Sequence, residues 1–345
     1  MAVSFLKNWT NFNESISDSQ TFTPYWIPVT YSNTGRGGRR ALVVPGSSTA
    51  GTNYGVLSST GAAGKNSGVC FFFKTGSFSS TTDFPIFTWD ITPGNRVNIS
   101  ISNSAIKLRA GSTSIASYSF NFGAGGSYYL EAIITFDASS YLTAEVYLTD
   151  ASTGSSVKVI DYPRTLTSGI GSSNIAGFVI SNCSVDMTID DVVLRDDYVR
   201  PSGSGGRFYV DYLPVDGAGY TSGFTASVGS GYTCVDETVL SNADDWIGAS
   251  SGGVISAFTL QNFAPSGTIK AITPVIWESH TLSSSIYGGI RVNSTNYFTD
   301  NPGNGSLIHC LWECALYSCW SVNPNTSAPW SVSDINGLEI LIKTV

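Results

Sequence analysis

Around the strand predicted at 143–148 apolar and polar positions alternate, with Leu142, Ala144, Val146 and Leu148 set between Thr143, Glu145 and Thr149. Successive side chains of a strand point to opposite faces, so this period of two predicts a strand with one inward and one solvated face. Val97, Ile99 and Ile101 repeat the pattern, and residues 106–109 follow across Asn103 and Ser104 as the second arm of a tight hairpin. Residues 69–74, V-C-F-F-F-K, form a continuous apolar run, as expected of a strand buried on both faces. Further strands are predicted at 84–89, 128–136, 157–160, 176–180 and 187–194. Residues 5–9 read as an edge strand or cap, and 34–44 turns through glycines into a strand. Strands arriving about every 8–15 residues, with no helical period between them, predict an antiparallel sandwich.

The text I-D-D-V-V-L-R-D-D-Y-V-R-P-S-G-S-G-G, residues 189–206, closes that series. Its first half alternates, placing Val192 and Leu194 on one face and Asp191 and Val193 on the other. Pro201 and the Ser/Gly run after it offer neither a ladder donor nor a packing side chain. A β-rich domain at 1–198 therefore hands over, through a linker at 199–206 spanning at most about 20 Å, to a second domain at 207–345. The second domain repeats the β habit in A-F-T-L-Q-N-F, T-P-V-I-W-E-S, G-G-I-R-V and the closing P-W-S-V-S-D-I-N-G-L-E-I-L-I-K. Domains of this size bury about 70% of their unfolded surface, enough for separate cores without disulfides or metal.

Composition sharpens the picture. The chain of 345 residues is 42% hydrophobic but only 12% charged, so neutral Ser, Thr, Gly and Asn cover its polar faces. The net charge of −8, with no basic cluster beyond the segment 36–40, lacks the electrostatic footprint of nucleic-acid binding. No apolar run approaches the ~18 residues of a membrane-spanning helix, so no membrane partner is expected. Residues 1–9 hold one Lys and no apolar core after it, which reads as no signal peptide. Reduced thiols in a bacterial cytosol follow for the six cysteines, with a disulfide among Cys310, Cys314 and Cys319 left open.

The order of several short motifs now carries a resemblance. Trp9, the T-G-R-G-G-R-R-A-L segment, the G-S-Y-Y-L-E-A strand and the M-T-I-D-D-V-V-L strand resemble a laminin-G/concanavalin A-like jelly roll, in the version found in tailed-bacteriophage virion proteins. The resemblance covers about residues 1–197, and it continues in the second domain through a first strand ending in Leu-Pro, a Val-Asp-Glu after a Gly-rich turn, and N-P-N-T-S-A-P-W-S-V-S-D-I. The glycine expected in the last strand is absent, since Glu339-Ile340-Leu341 stands there. The resemblance implies an all-β protein of two β-sandwich domains, the first a jelly roll.

Candidate chemistry is sparse. A glycosidase needs two carboxylates about 5–9 Å apart. Glu131 and Glu145 stand alone, Asp186 and Asp190 lie four apart, and Asp190 and Asp191 point to opposite faces, so no catalytic residue is assigned and no enzymatic activity is expected. By the resemblance, Asp90, Asp190 and Asp191 are calcium candidates, although one Asp pair supplies too few of the ~6–8 oxygens that calcium takes. The alternative is that one of the pair accepts backbone or Arg hydrogen bonds near the chain start. His309, Cys310, Cys314 and Cys319 lack a paired knuckle and read as core, and His280 as surface, so neither metal nor cofactor is assigned. Trp320 and Trp330 sit in loop-like text and are the candidates for a glycan contact, whereas Trp89 and Trp277 lie within strands.

The resemblance implies a structural protein on the phage particle, whether capsid decoration, fibre or tail-associated, and the sparse chemistry adds the expectation that it is non-enzymatic. An adhesin that recognises host surface glycan through the jelly roll is the alternative, and a glycan depolymerase the third reading. Its expected place is the virion, assembled in the bacterial host cytoplasm. Its expected partners are other virion proteins, host glycan and further copies of itself, a trimer first, joined through the apolar stretch 307–320 of the second domain.

Overall fold

The computed structural model describes residues 3–7, 30–32, 36, 41–44, 46, 53–57, 66–91, 95–137, 139–167, 170, 175–181, 184–196, 200, 211–236, 245–265, 267–278, 286–298, 313–316 and 320–345. The chain divides into two compact units, Met1–Val210 and Asp211–Val345. Apart from Arg200, the linker expected at 199–206 lies outside the described residues.

The described strands of the first unit are β1 (Val3–Lys7), β2 (Thr30–Ser32), β3 (Ala41–Val44), β4 (Asn53–Leu57), β5 (Ser67–Thr75), β6 (Phe84–Ile91), β7 (Asn95–Ser102), β8 (Ala105–Ala110), β9 (Thr113–Ser119), β10 (Gly126–Phe136), β11 (Tyr141–Asp150), β12 (Ser156–Leu166), β13 (Ile175–Ser181) and β14 (Met187–Asp196). One antiparallel sheet runs β12-β11-β10-β5-β14-β3-β2, and the other β4-β13-β6-β7-β8-β9. On the side of β14 away from β5, residues 187–189 pair with β3 and residues 192–195 with β1. The two sheets make the expected jelly-roll sandwich.

Alternation decides what lies between the sheets. Phe71 and Phe73 of β5, Leu130, Ala132 and Ile134 of β10, and Leu142, Ala144, Val146 and Leu148 of β11 are buried from the first sheet. Phe87, Trp89, Val97, Ile99, Ile101, Ile106 and Leu108 are buried from the second. Phe71 stacks on Phe87 across the gap at 5.9 Å between ring centroids. Each such buried side chain contributes about 1.5–3 kcal/mol relative to exposure.

Two elements depart from the sequence reading. The strand β9 went unread because T-S-I-A-S-Y-S is polar, and its exposed side chains suit the edge position it holds beside β8. The strand β12 runs well past residue 160 and contains Pro163, which its edge position and the register shift near it tolerate. The hairpin across Asn103 and Ser104 forms as expected, with Ser102 opposite Ala105.

The second unit contains β15 (Val215–Ser222), β16 (Thr225–Ala226), β17 (Ile247–Gly248), β18 (Ile255–Leu260), β19 (Val275–Glu278), β20 (Ile286–Val292), β21 (Thr295–Phe298), β22 (Glu313–Leu316), α1 (Val332–Asn336) and β23 (Glu339–Thr344). A five-stranded sheet runs β15-β18-β23-β20-β21, beside the ribbons β16-β17 and β19-β22. Register sets Phe258, Ile340 and Ile290 side by side on one face. Phe224 and Ile276 pack with Phe258, and Trp330, Ile335 and Leu338 pack with Ile290. The text S-V-S-D-I-N, read as part of a β tail, forms α1 instead. Ser331 Oγ accepts the Asp334 N–H at 3.1 Å and Asp334 accepts the Ser331 N–H at 2.9 Å, a capping box that outweighs the weak helix propensity of these residues.

Candidate functional site

The sequence placed Asp190 and Asp191 on opposite faces of a strand, and the structure corrects this. The backbone of Asp191 turns to φ +52°, and the pairing with β5 shifts between Asp190 and Val193, so β14 carries a bulge there. Both carboxyl groups are fully buried. Asp190 accepts the backbone N–H of Asp191 at 2.8 Å and that of Arg36 at 3.3 Å. Asp191 accepts Arg36 Nε at 2.6 Å and the Tyr129 hydroxyl at 3.4 Å. Desolvation first, and the Asp191 charge second, push the Asp190 carboxyl up to about 7. Their oxygens thus face N–H donors and a guanidinium, an arrangement that does not fit calcium. Asp90, the third candidate, lies in β6 of the other sheet, paired with Arg96 and Gly177. Among the described residues, no three acidic, Cys or His side chains gather in a group that could hold a metal.

Away from the core, β11 presents Tyr141, Thr143, Glu145 and Tyr147, all half-buried. Every second residue of a strand recurs after about 7 Å, so these four make a stripe about 20 Å long. Cations from neighbouring segments lie over both rings. The Arg164 guanidinium sits 3.8 Å from the Tyr141 ring centroid and bonds Asp137 at 2.6 Å. Arg200 sits 3.7 Å from the Tyr147 ring and bonds Glu131 Oε2 at 2.8 Å and Ser156 Oγ at 3.2 Å. Lys158 bonds Glu145 at 2.7 Å, and the Tyr147 hydroxyl donates to Glu145 at 2.9 Å. Desolvation pushes the Glu145 carboxyl up, but the bonds from Lys158 and Tyr147 outweigh it and hold the group below its usual range. Desolvation and the bond to Glu145 push the Tyr147 phenol up, so it stays protonated and acts as a donor. Lys158, Arg164 and Arg200 are each matched by a carboxylate, so the stripe carries hydrogen-bonding groups with little net charge.

Sequence reasoning singled out Glu131 and Glu145 only as isolated acids. It missed Arg200, which was read as the edge of a linker and whose partner Glu131 lies 69 residues away. The structure also corrects Trp330. Its ring is 4% exposed within the second unit's core, and its indole N–H donates to the Trp320 carbonyl at 2.9 Å, so it offers no face to a ligand. Trp320 is half-buried against the same cluster. Trp246, not singled out from the sequence, is 48% exposed, its ring against Gly248. His280, His309, Cys310 and Cys319 lie outside the described residues, as does most of the stretch 307–320, while Cys314 sits in β22 opposite Trp277.

No family model and no curated protein matches the sequence. Solved structures do. A marine alginate lyase from Aplysia kurodai is 9% identical, covers 56% of this chain and 99% of its own, and gives a TM-score of 0.42. An alginate lyase solved with an alginate trisaccharide is 13% identical over 56% of this chain and 98% of its own, with a TM-score of 0.40. The catalytic domain of a glycoside hydrolase family 131 protein from Coprinopsis cinerea is 12% identical over 60% of this chain and 98% of its own, with a TM-score of 0.34. The expectation of a chain without enzymatic activity is corrected here, because glycan-active enzymes are among the structures similar to it.

Proposed function

We propose that this protein recognises a neutral host-surface glycan through the outward stripe of β11, from the surface of a tailed-phage virion. The observation that carries the reading is the row Tyr141, Thr143, Glu145 and Tyr147, in which Arg164, Lys158 and Arg200 hold Tyr141, Glu145 and Tyr147. Donors and acceptors repeating along about 20 Å suit an extended chain of sugars, whose hydroxyls repeat in the same way. Prior fixing of the side chains lowers the ordering cost of binding. Charge balance across the stripe favours a neutral chain over a polyanion. The virion setting is supported by the ordered motifs that resemble phage virion proteins. A homotrimer on a symmetric platform is the assembly proposed with it, since linked copies raise weak binding about 10²–10⁴-fold.

The test is titration of purified host polysaccharide against the full chain, with Tyr141→Ala and Thr143→Arg as variants. Binding weakened about tenfold or more in both supports the stripe, a loss of about 1.4 kcal/mol. Unchanged binding in both overturns it. The chain length of the recovered polysaccharide separates recognition from cleavage, labelled particles test the virion setting, and light scattering tests the trimer.

A further inference from the structure

On the face of the five-stranded sheet away from the core of the second unit lies a half-buried polar row. Register aligns Thr259 of β18, Glu339 of β23, Arg291 of β20 and Asn296 of β21 in one transverse row. Their sequence neighbours Phe258, Ile340 and Ile290 point the other way, into the core. The register of β15 shifts between Ala218 and Ser222, and Gly219 lies so close to Ala257 that a Cβ there would meet its backbone at 2.7 Å. That close approach lays Tyr220 over the row. The Tyr220 N–H donates to Glu339 Oε1 at 2.9 Å, and Asn296 Nδ2 donates to the Tyr220 hydroxyl at 2.8 Å. The Arg291 guanidinium covers one face of the ring at 3.5 Å from its centroid. Tyr220 nevertheless remains 45% exposed, which leaves part of its surface accessible beside the guanidinium.

A tyrosine fixed at its backbone, its hydroxyl and one ring face has already lost the freedom that binding would otherwise remove. Polar groups border it. Asp216 accepts the Thr259 hydroxyl at 2.9 Å, Arg291 and Glu339 pair at 3.3 Å, and Arg291 bonds Asn296 at 3.2 Å. Arg291 is neutralised by Glu339, and Asp216 adds negative charge, so an anionic ligand such as a phosphate is disfavoured. A flat apolar face ringed by neutral and acidic acceptors matches a sugar ring, which has a C–H side and donates through its hydroxyls.

We propose that Tyr220 and the row Thr259, Glu339, Arg291 and Asn296 form a carbohydrate site in the second unit, taking a hexopyranose whose equatorial hydroxyls leave a C–H face to lie on the ring. It is independent of the β11 stripe, which belongs to the first unit.

Saturation-transfer NMR on the full chain tests this with methyl β-D-glucopyranoside, methyl β-D-galactopyranoside and N-acetylglucosamine as probes. Transfer to the C–H face protons of at least one sugar is expected, with a Kd of about 1 mM. Tyr220→Ala should weaken it about tenfold, while Tyr220→Phe, which keeps ring and guanidinium, stays within about twofold. Tyr220→Leu, which covers the sheet without a ring, gives the same readout as the alanine variant should that variant not fold. Transfer that survives Tyr141→Ala and falls with the Tyr220 variants belongs to the second unit. No transfer from any of the three probes, or equal binding by wild type and Tyr220→Leu, overturns the site and leaves the β11 reading to its own test.

Discussion

Asp190 and Asp191 are consecutive in β14 and both fully buried, and the N–H of Asp191 donates to the carboxylate of Asp190 at 2.8 Å. Burial, with the Asp191 charge beside it, raises the Asp190 carboxyl from 3.8 to about 7. The folded state therefore holds this proton more tightly than the unfolded chain does. The resulting stability is full below about pH 4 and is lost as the pH rises through about 7. Melting temperatures between pH 4 and 8 should fall over that window, and Asp190→Asn should flatten the fall. An equal slope in the variant would remove Asp190 as its source.

Arg36 supplies the cation for Asp191, at 2.6 Å. Breaking a buried pair from one side leaves the remaining charge poorly compensated, so Arg36→Ala should cost about 3 kcal/mol in urea unfolding. Adding Asp191→Asn to that variant should recover part of the loss. If Arg36→Ala alone is neutral, Asp191 does not depend on it.

Gly46 lies so close to the residues just before β14 that a Cβ there would sit 2.7 Å from the Val185 backbone, and its N–H donates to Asp186 at 2.8 Å. Backbone cannot yield as a flexible side chain does. Gly46→Ala should lower stability by about 1–3 kcal/mol, the range for overpacking, as read from the denaturation midpoint.

Trp330 and Trp246 should part sharply. The first is 4% exposed among Ile290, Ile335 and Leu338, the second 48% exposed. Trp330→Ala should cost about 3–5 kcal/mol, as buried aromatic truncations do. Trp246→Ala should stay within about 0.5 kcal/mol. Equal losses by calorimetry would contradict this placement.

The all-β class, the strands β7, β8 and β11 and the hairpin between β7 and β8 were legible in the residues themselves. Those features are local: the pleat turns a period of two into two faces wherever the strand pairs. Even the reading that one of the Asp pair accepts backbone or Arg hydrogen bonds near the chain start was legible, although the acceptance by both and the identity of Arg36 were not. Which side chains meet depends instead on the path of the chain. Arg200 reaches Glu131 across 69 residues, and Thr259, Glu339, Arg291 and Asn296 come from four different strands. Trp330 stands in loop-like text yet fills a core, because α1 and the sheet close around it. Strand register and chain path create these neighbours, and neither leaves a repeating signature in the residues that it brings together.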